Sequence, residues 1–273
     1  MPGAIERLTN TQGIIGPRVR NALPQRQLPD RSELDDVVEH FWQTGWDFPP
    51  GRPQTTETLP FPCQHLTFEK LDGVCSIRIT GLYRQVWQRE LSGEGEVFGI
   101  KFRPAGFHAA LGLAPGEFTD RTADGAGIPG IADLAARIWH SAGFAERCQA
   151  AQDWLSPRAR PTDRTRLANR MVQAMQGNPA LRVGADLERL FAISPRGANR
   201  LLTEQVGLGS KWILSRARLQ SAAGHLAARP QCSLAELAAE AGYADQAHFS
   251  RDFARVLGRP PNSYRKELAA FED

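Results

Sequence analysis

A stretch of this sequence occurs twice, at an offset of 51 residues, and that repeat limits what the chain can fold into. Residues 183–213, VGADLERLFAISPRGANRLLTEQVGLGSKWI, align without a gap with residues 234–264, LAELAAEAGYADQAHFSRDFARVLGRPPNSY. Within the alignment Arg200 matches Arg251. Self-similarity at a fixed offset indicates one structural unit that is used twice.

Each copy has the residue pattern of a helix-turn-helix. In the second copy Ser233 and Glu236 form a capping box that opens a short helix, and Gly242 ends that helix. Asp245 then follows as the N-cap of the next helix, and Ser194 has the same role in the first copy. We therefore predict two helix pairs of the same design.

The second helix of each copy has an apolar face and a polar face at helical spacing. Buried positions are predicted at Ala198, Leu201, Leu202, Gln205, Phe249, Phe253, Val256 and Leu257. Exposed positions are predicted at Arg196, Asn199, Arg200, Thr203, Gln246, Ala247, Ser250 and Arg251. Arginine can bind guanine through two hydrogen bonds, and asparagine or glutamine can bind adenine in the same way. A solvated helix face has a similar polar composition, but arginine at matching positions of both copies favours DNA recognition.

The same residues carry a family pattern. Arg218-Leu219 with Ala222 and Ala223 form an "RL…A" run in the helix between the two units. A G-[FY]…F-x-R-x-F…G-x-x-P-x-x-Y-R pattern is present at Gly242, Tyr243, Phe249, Arg251, Phe253, Gly258, Pro261, Tyr264 and Arg265. On these residues, the segment 182–265 resembles the DNA-binding domain of the AraC/XylS family of bacterial transcription regulators.

The resemblance implies which side chains read DNA bases. The implied base-reading residues are Arg196, Asn199 and Arg200 in the first recognition helix, and Gln246, Ala247, Ser250 and Arg251 in the second. His248 lies at the edge of that second face.

The first copy departs from the family pattern at three places. Gly197-Ala198 stands where a larger apolar residue is usual, Leu202 where phenylalanine is common, and Gly209-Ser210 where Ser-Pro is usual. Glycine inside a helix costs about 0.5–1 kcal/mol relative to alanine. We therefore expect the first recognition helix to be looser than the second. A helix over residues 211–228 is predicted to separate the two units.

The N-terminal part of the chain has a different pattern. Short apolar runs broken by turn residues extend from Trp42 to Arg103 and predict an antiparallel β-region. Helices are predicted in four segments: from a Ser32 N-cap through the stripe Leu34, Val37, Val38 and Phe41, and over residues 106–111, 131–141 and 144–155.

The predicted fold class is α+β with two domains. The linker at residues 156–161 contains two prolines and marks the boundary between residues 1–157 and residues 158–273. The first is predicted to be a β-rich regulatory domain with flanking helices, and the second an all-α domain that holds both helix-turn-helix units.

The runs PCQHLTFEK and GEGEVFGIKFRPAGFHAALG resemble the uncharacterised N-terminal domain of one branch of the same family. This resemblance implies a cupin-like fold used for effector binding or dimerisation. Arg103, at the end of a predicted strand, is a candidate for contacting an anionic effector; the alternative for Arg103 is a salt bridge to an acidic residue.

The charge is divided unevenly between the two predicted domains. Residues 1–157 hold 15 basic and 19 acidic residues, a net charge of −4, whereas residues 158–273 hold 18 and 11, a net charge of +7. A positive excess in the helical part is expected if that part contacts a polyanion.

Several kinds of site find no support in the sequence. His40, His65, His108 and His140 are isolated, and the four cysteines form no C-x-x-C pair, so we predict no bound metal. Motifs for a nucleophile elbow or a phosphate-binding loop do not occur, so no catalytic residue and no cofactor are predicted. No apolar stretch approaches the ~18 residues that a membrane span needs. We therefore expect a cytoplasmic protein with no membrane partner.

Together these features predict a sequence-specific transcription regulator that binds double-stranded DNA. Its two recognition helices are expected in adjacent major grooves, and its N-terminal domain is expected to modulate it. The further partners expected are a small-molecule effector, RNA polymerase and a second copy of the chain in a homodimer. The alternative is a cupin-like small-molecule-binding or catalytic protein with a vestigial helical tail.

Overall fold

The computed structural model describes residues 6–7, 14–15, 25–49, 51–58 and 60–270. A β-rich N-terminal region is followed by a helical C-terminal region, so the chain has the predicted two-domain α+β architecture.

The strands in these ranges form two antiparallel sheets. They are β1 Glu6–Arg7, β2 Ile14–Ile15, β3 Gln25–Gln27, β4 Val38–Phe48, β5 Gln54–Thr58, β6 His65–Leu71, β7 Val74–Thr80, β8 Trp87–Leu91, β9 Gly93–Phe102 and β10 Thr122–Asp124. The larger sheet has the order β1-β3-β4-β9-β6-β7-β10, and the smaller has the order β2-β5-β8. The predicted β-region between residues 42 and 103 is therefore confirmed.

The centre of the larger sheet is the core of the N-terminal region. Strand β9 pairs with β4 on one side and β6 on the other. Phe98 of β9 packs with Phe41 of β4 and Phe68 of β6, with ring centroids 6.3 Å apart in both pairs. All three rings are fully buried, since alternate residues of these strands point to one face.

The prediction of a helix that starts at Ser32 is wrong. Ser32–Leu34 is a single 3₁₀ turn, and strand β4 begins at Val38. The apolar stripe is fully buried as expected, but a bulge between Val38 and His40 shifts the pairing register. The bulge interrupts the strand alternation, so the spacing of the buried residues imitates that of a helix.

The helices of the described chain follow the predicted pattern closely. They are α1 Gly106–Leu111, α2 Ile131–His140, α3 Phe144–Leu155, α4 Asp163–Gly177, α5 Ala185–Phe191, α6 Pro195–Val206, α7 Ser210–Ala228, α8 Leu234–Glu240, α9 Gln246–Leu257 and α10 Pro261–Ala270. Helices α1 and α3 have the predicted bounds, α2 ends one residue early, and α7 begins one residue early.

Helix α7 joins two separate hydrophobic cores. Ile213 and Leu214, near its N-terminal end, pack with the residues of α4, α5 and α6. Leu219 and Leu226, further along, pack with the residues of α8 and α9. Each helix-turn-helix unit therefore has its own core, and α7 is the rigid connection between them.

The N-terminal region contacts the C-terminal end of both α6 and α9. At α6, Gln64 Nε2 donates a hydrogen bond to the Val206 carbonyl at 3.2 Å. At α9, the Val86 N–H donates to the Val256 carbonyl at 3.1 Å, and Arg259 forms an ion pair with Glu57. We call these contacts the domain seam.

The seam meets the two units at equivalent glycines. Gly207 and Gly258 are matched in the repeat, and both are C-caps with positive φ, 96° and 78°. A Cβ on Gly207 would lie 3.0 Å from the backbone of Pro115 and Gly116, whereas one on Gly258 would contact Val86 at 3.7 Å. The N-terminal region therefore holds each second helix at the same point.

Candidate nucleic-acid interface

The second helices of the two units, α6 and α9, begin and end in the same way. Ser194 Oγ accepts the N–H of Gly197 at 3.2 Å, and Asp245 Oδ1 accepts the N–H of His248 at 2.7 Å. Each helix then runs for 12 residues. The N-caps predicted from the repeat are confirmed, and they give the two helices equivalent starting points 51 residues apart.

Helix α6 buries its predicted apolar face and exposes its predicted polar face. Its buried residues are Ala198, Leu201, Leu202, Gln205 and Val206. Arg196, Asn199 and Arg200 are exposed on the other side. The side chain of Asn199 lies close to Gly209, because a Cβ added to Gly209 would be 2.3 Å from Asn199 Oδ1. It therefore lies against the turn into α7.

Helix α9 has the same division. Its buried residues are Phe249, Phe253, Val256 and Leu257. Gln246, Ala247 and Arg251 are exposed, whereas Ser250 is half-buried. Ser250 is thus the least accessible of the residues proposed for base reading on this helix.

Some exposed side chains of α9 are engaged within the protein. His248 Nε2 lies 3.6 Å from Asp252 Oδ2, and its ring meets the edge of the Tyr243 ring. Arg255 Nη2 donates to Asp252 Oδ1 at 2.8 Å. Asp252 therefore holds His248 and Arg255 beside it.

The arginines predicted to read bases have no such partner. Within the described part of the chain, Arg196, Arg200 and Arg251 form no salt bridge and no side-chain hydrogen bond. A guanidinium has five donors in a planar fork, and these three present them to solvent. The two helices thus offer free arginine donors at the repeat-equivalent positions 200 and 251.

Two family models match the chain. One, described as a helix-turn-helix domain, matches residues 187–267, which hold both α6 and α9. The other, described as a domain of unknown function (DUF6597), matches residues 26–124 in the two sheets. The chain is a DNA-binding transcription regulator. Its helix-turn-helix domain, which lies in the helical region, is of the AraC type.

Solved structures similar to the regulator cover different shares of its chain. The C-terminal domain of AraT, a response regulator from Geobacillus stearothermophilus, is 25% identical, with 37% of this chain and 84% of that chain covered and a TM-score of 0.33. A probable AraC family transcriptional regulator from Rhodopseudomonas palustris is 21% identical, with 38% and 97% covered and a TM-score of 0.35. ToxT from Vibrio cholerae is 11% identical, with 84% and 98% covered and a TM-score of 0.39. No curated protein matches the chain.

No helix in the described part of the regulator is both long enough and apolar enough to cross a membrane. The same residues contain no group of three or more histidine, cysteine, aspartate or glutamate side chains that could hold a metal ion.

Arg103, the sequence candidate for an anionic effector, is exposed. Its Nε donates to the backbone carbonyl of Asp35, and its own N–H donates to the carbonyl of Val37 at 2.9 Å. In the described chain it forms no salt bridge, so the alternative that Arg103 pairs with an acidic residue is not observed. Arg103 instead connects the end of β9 to the turn before β4.

A cluster of titratable groups lies on three neighbouring strands of the larger sheet, near the domain seam. Burial would raise the pKa of Glu39, but the imidazole of His40, 3.6 Å away, and the ammonium of Lys101, at 2.9 Å, lower it to about 2. Burial, followed by the charges of Lys101 and His40, lowers the pKa of His65 to about 3. Burial also raises the pKa of the Cys63 thiol to about 11. At neutral pH both histidines and the thiol are therefore uncharged.

Neutral His65 is fixed in one tautomer by its neighbours. Trp42 Nε1 donates to His65 Nδ1 at 3.3 Å, so Nδ1 is the acceptor and Nε2 carries the hydrogen. Nε2 faces Cys63 Sγ at 3.7 Å. If His65 Nδ1 were protonated, its N–H would face the N–H of Trp42 Nε1, and the hydrogen bond between them would be lost.

Mild acid is expected to destabilise the regulator through His65. An unfolded histidine takes up a proton near pH 6.5, whereas the folded His65 stays neutral until about pH 3. Because the unfolded chain binds more protons throughout that window, stability present above pH 6.5 is lost as the pH falls. We expect the calorimetric Tm to decrease between about pH 7.5 and about pH 5.

The control for this prediction is His65→Gln, whose amide oxygen still accepts from Trp42. The decrease in Tm should be smaller in this variant. A remaining decrease is expected from His40, whose pKa burial also lowers. A Tm of the unsubstituted chain that does not change over this pH range would contradict the prediction.

Sequence patterns alone did not indicate the residues that form this cluster and the seam. Arg216 of α7 is fully buried, although an arginine is ordinarily expected at the surface. The available signal was its position between Ile213 and Leu219, where an apolar residue is expected on the buried side of α7.

Proposed function

We propose that the regulator reads DNA with both recognition helices, α6 and α9, each in its own major groove. The observation that carries the proposal is the equivalence of Arg200 and Arg251. Both are exposed, both lack a partner within the described chain, and both lie on 12-residue helices with the same capping arrangement. A helix used only for packing has no need of free guanidinium groups at the matching position.

The length of α7 suits two successive grooves. Its 19 residues span about 28 Å at a rise of 1.5 Å per residue. Major grooves on one face of B-DNA recur every ~34 Å. The small difference can be accommodated by bending of the DNA. One protomer would then contact two turns of the duplex.

We assign base reading to the side chains that the family pattern implies. These are Arg196, Asn199, Arg200, Gln246, Ala247, Ser250 and Arg251. Because the two helices present different residues, the site of one protomer should be asymmetric. A homodimer would add a second site as a direct or inverted copy.

We further propose that residues 1–157 modulate the helical domain, residues 158–273, through the domain seam. The seam touches the C-terminal end of each recognition helix, whereas the base-reading residues lie toward the other end. DNA can therefore be bound while the seam is closed. A small-molecule effector that shifts the N-terminal domain would change the relative placement of α6 and α9.

In this proposal the regulator acts in the cytoplasm, where it contacts RNA polymerase at the promoter. It has no catalytic residue, metal or cofactor. The alternative of a cupin-like protein with a vestigial helical tail is less favoured. Ser194 caps the recognition helix of the first unit and Asp245 that of the second, and a tail without function would need neither cap.

Selection of bound sequences from random duplex DNA tests both parts of the proposal. With the full chain, we expect two blocks of base preference at a fixed spacing of about one helical turn. The Glu57→Lys variant places a positive charge against Arg259 and opens the seam at α9. It should select the same two blocks with variable spacing, because α9 is no longer held by the N-terminal domain.

The matched controls are a double variant and a neighbouring charge change. Glu57→Lys with Arg259→Glu reverses the ion pair and should restore the fixed spacing. Glu90→Lys makes the same charge change at an exposed position on β8, which pairs with the strand of Glu57, and should have no effect. Selection of a single block by the unsubstituted chain would refute tandem reading. Equal spacing in all variants would refute modulation through the seam.

A further inference from the structure

The first helix-turn-helix unit lacks a side chain at a position where the second has a proline ring. Gly209 precedes α7 and Pro260 precedes α10, and the two residues are matched in the repeat. The Gly209 carbonyl accepts the N–H of Ile213 at 3.3 Å. The Pro260 carbonyl accepts the N–H of Tyr264, which matches Ile213, at 3.0 Å. Both residues therefore open the following helix in the same way, and their side chains are what differs.

The backbone at Gly209 does not require glycine. Its φ of −77° and ψ of 160° lie in the extended region, which any residue can adopt. This φ is also close to the value that a proline ring fixes, so a proline like that of the second unit would fit the same backbone. Conformational freedom therefore does not explain why the first unit has glycine here.

The space beside Gly209 is occupied by the amide of Asn199. A Cβ added to Gly209 would lie 2.3 Å from Asn199 Oδ1, 3.3 Å from Cγ and 3.6 Å from Nδ2, and these are the three nearest atoms. Non-bonded heavy atoms have their optimum at about 3.5 Å or more, so the amide would have to move by about 1 Å to make room for the Cβ. Gly209 thus leaves free the space in which this amide lies.

The matching residues of the second unit have the opposite sizes. Asn199 of α6 corresponds to Ser250 of α9, whose side chain is shorter. The first unit thus combines the longer side chain with Gly209, and the second combines the shorter side chain with Pro260. Because packed side chains leave few voids, such an exchange of size is expected of two positions that share one space. The glycine is therefore explained by Asn199 and not by the turn.

We propose that Gly209 is a positioning residue that sets the base preference of Asn199, which rests on the proposed base reading by α6. The exposed Asn199 amide makes no hydrogen bond within the described residues, so its contact with Gly209 limits how it can turn. An asparagine reads adenine through two hydrogen bonds, which need both amide atoms in place. Hydrogen bonds require donor–acceptor distances of about 2.7–3.2 Å, so displacement of the amide would break this pair.

The test compares Gly209→Ala with Gly224→Ala, which adds the same methyl group within α7 where nothing lies within 4 Å. Both variants should keep or slightly raise the Tm of the full chain, because alanine restricts the unfolded state and fits both backbones. In selection from random duplex DNA, Gly209→Ala alone should lower the preference at the base pair read by Asn199. The expected decrease is about 5- to 150-fold, the value of one bidentate contact.

Asn199→Ala identifies that base pair, because its preference should be lost there. Added to Asn199→Ala, Gly209→Ala should cause no further change, since no amide then lies beside position 209. The role of Gly209 is refuted if either single variant keeps the preference of the unsubstituted chain, or if Gly209→Ala acts equally in both backgrounds. A Tm several degrees lower for Gly209→Ala would also refute it, since the fold would then need the glycine. Selection of a single block by the unsubstituted chain would instead refute the tandem reading on which this role rests.

Discussion

Replacing Arg251 with alanine is expected to weaken binding to the selected DNA site by about 5- to 150-fold. This range corresponds to the loss of about 1–3 kcal/mol for one bidentate contact to a base. Arg251 is exposed and has no competing partner within the described chain, so the full contact is available to DNA. Fluorescence anisotropy with selected and random duplexes would measure the change. The preference at one base pair should relax at the same time.

Arg255→Ala is the matched control for this prediction. It removes the same charge from the same helix, but Arg255 is paired with Asp252. Its effect should be smaller and should leave the base preference intact. Arg200→Ala should act like Arg251→Ala but more weakly, because Gly197 makes α6 looser. If Arg251→Ala weakens binding to selected and random DNA equally, Arg251 binds phosphate and the assigned role is wrong.

Raising the salt concentration from about 50 to about 200 mM is expected to weaken DNA binding by about 10³-fold or more. Lysine and arginine that neutralise phosphates release bound counterions, and this release is less favourable in high salt. Two units that together contact six to ten phosphates would give an effect of this size. The net charge of +7 on residues 158–273 is consistent with such contacts.

The slope of log affinity against log salt is the quantity to compare. Arg52→Ala, at an exposed position of the N-terminal domain, should leave this slope unchanged, since that domain is not expected to contact DNA. A slope near zero for the unsubstituted chain would mean that the helical domain does not bind the phosphate backbone.

In the helical part of the fold, the starts of α6 and α9 and the bounds of α7 were predicted to within one residue, because their signals are local. The N-caps Ser194 and Asp245 and the C-cap glycines Gly207 and Gly258 act within one turn of their helix. The repeat then provided each signal twice. The inward and outward faces of α6 and α9 followed from helical periodicity alone.

The N-terminal errors and omissions come from contacts between distant residues. At Ser32 the helical spacing was misleading, because β4 is set by its pairing with β9 and by the bulge after Val38. Arg216 was not recognised as buried, because arginine is ordinarily exposed and Phe61, which covers it, is far away in the sequence. The ring of Phe61 has no sequence signature that indicates a partner on α7.

Hydroxyl-radical footprinting of the full chain on its selected site tests tandem reading most directly. The measurement should use concentrations at which sedimentation shows one protomer per duplex. We expect protection across two successive turns, with Arg200→Ala reducing protection in one turn and Arg251→Ala in the other. Protection confined to a single turn, or equal loss in both turns for each variant, would contradict the account, because one unit would then serve only for packing.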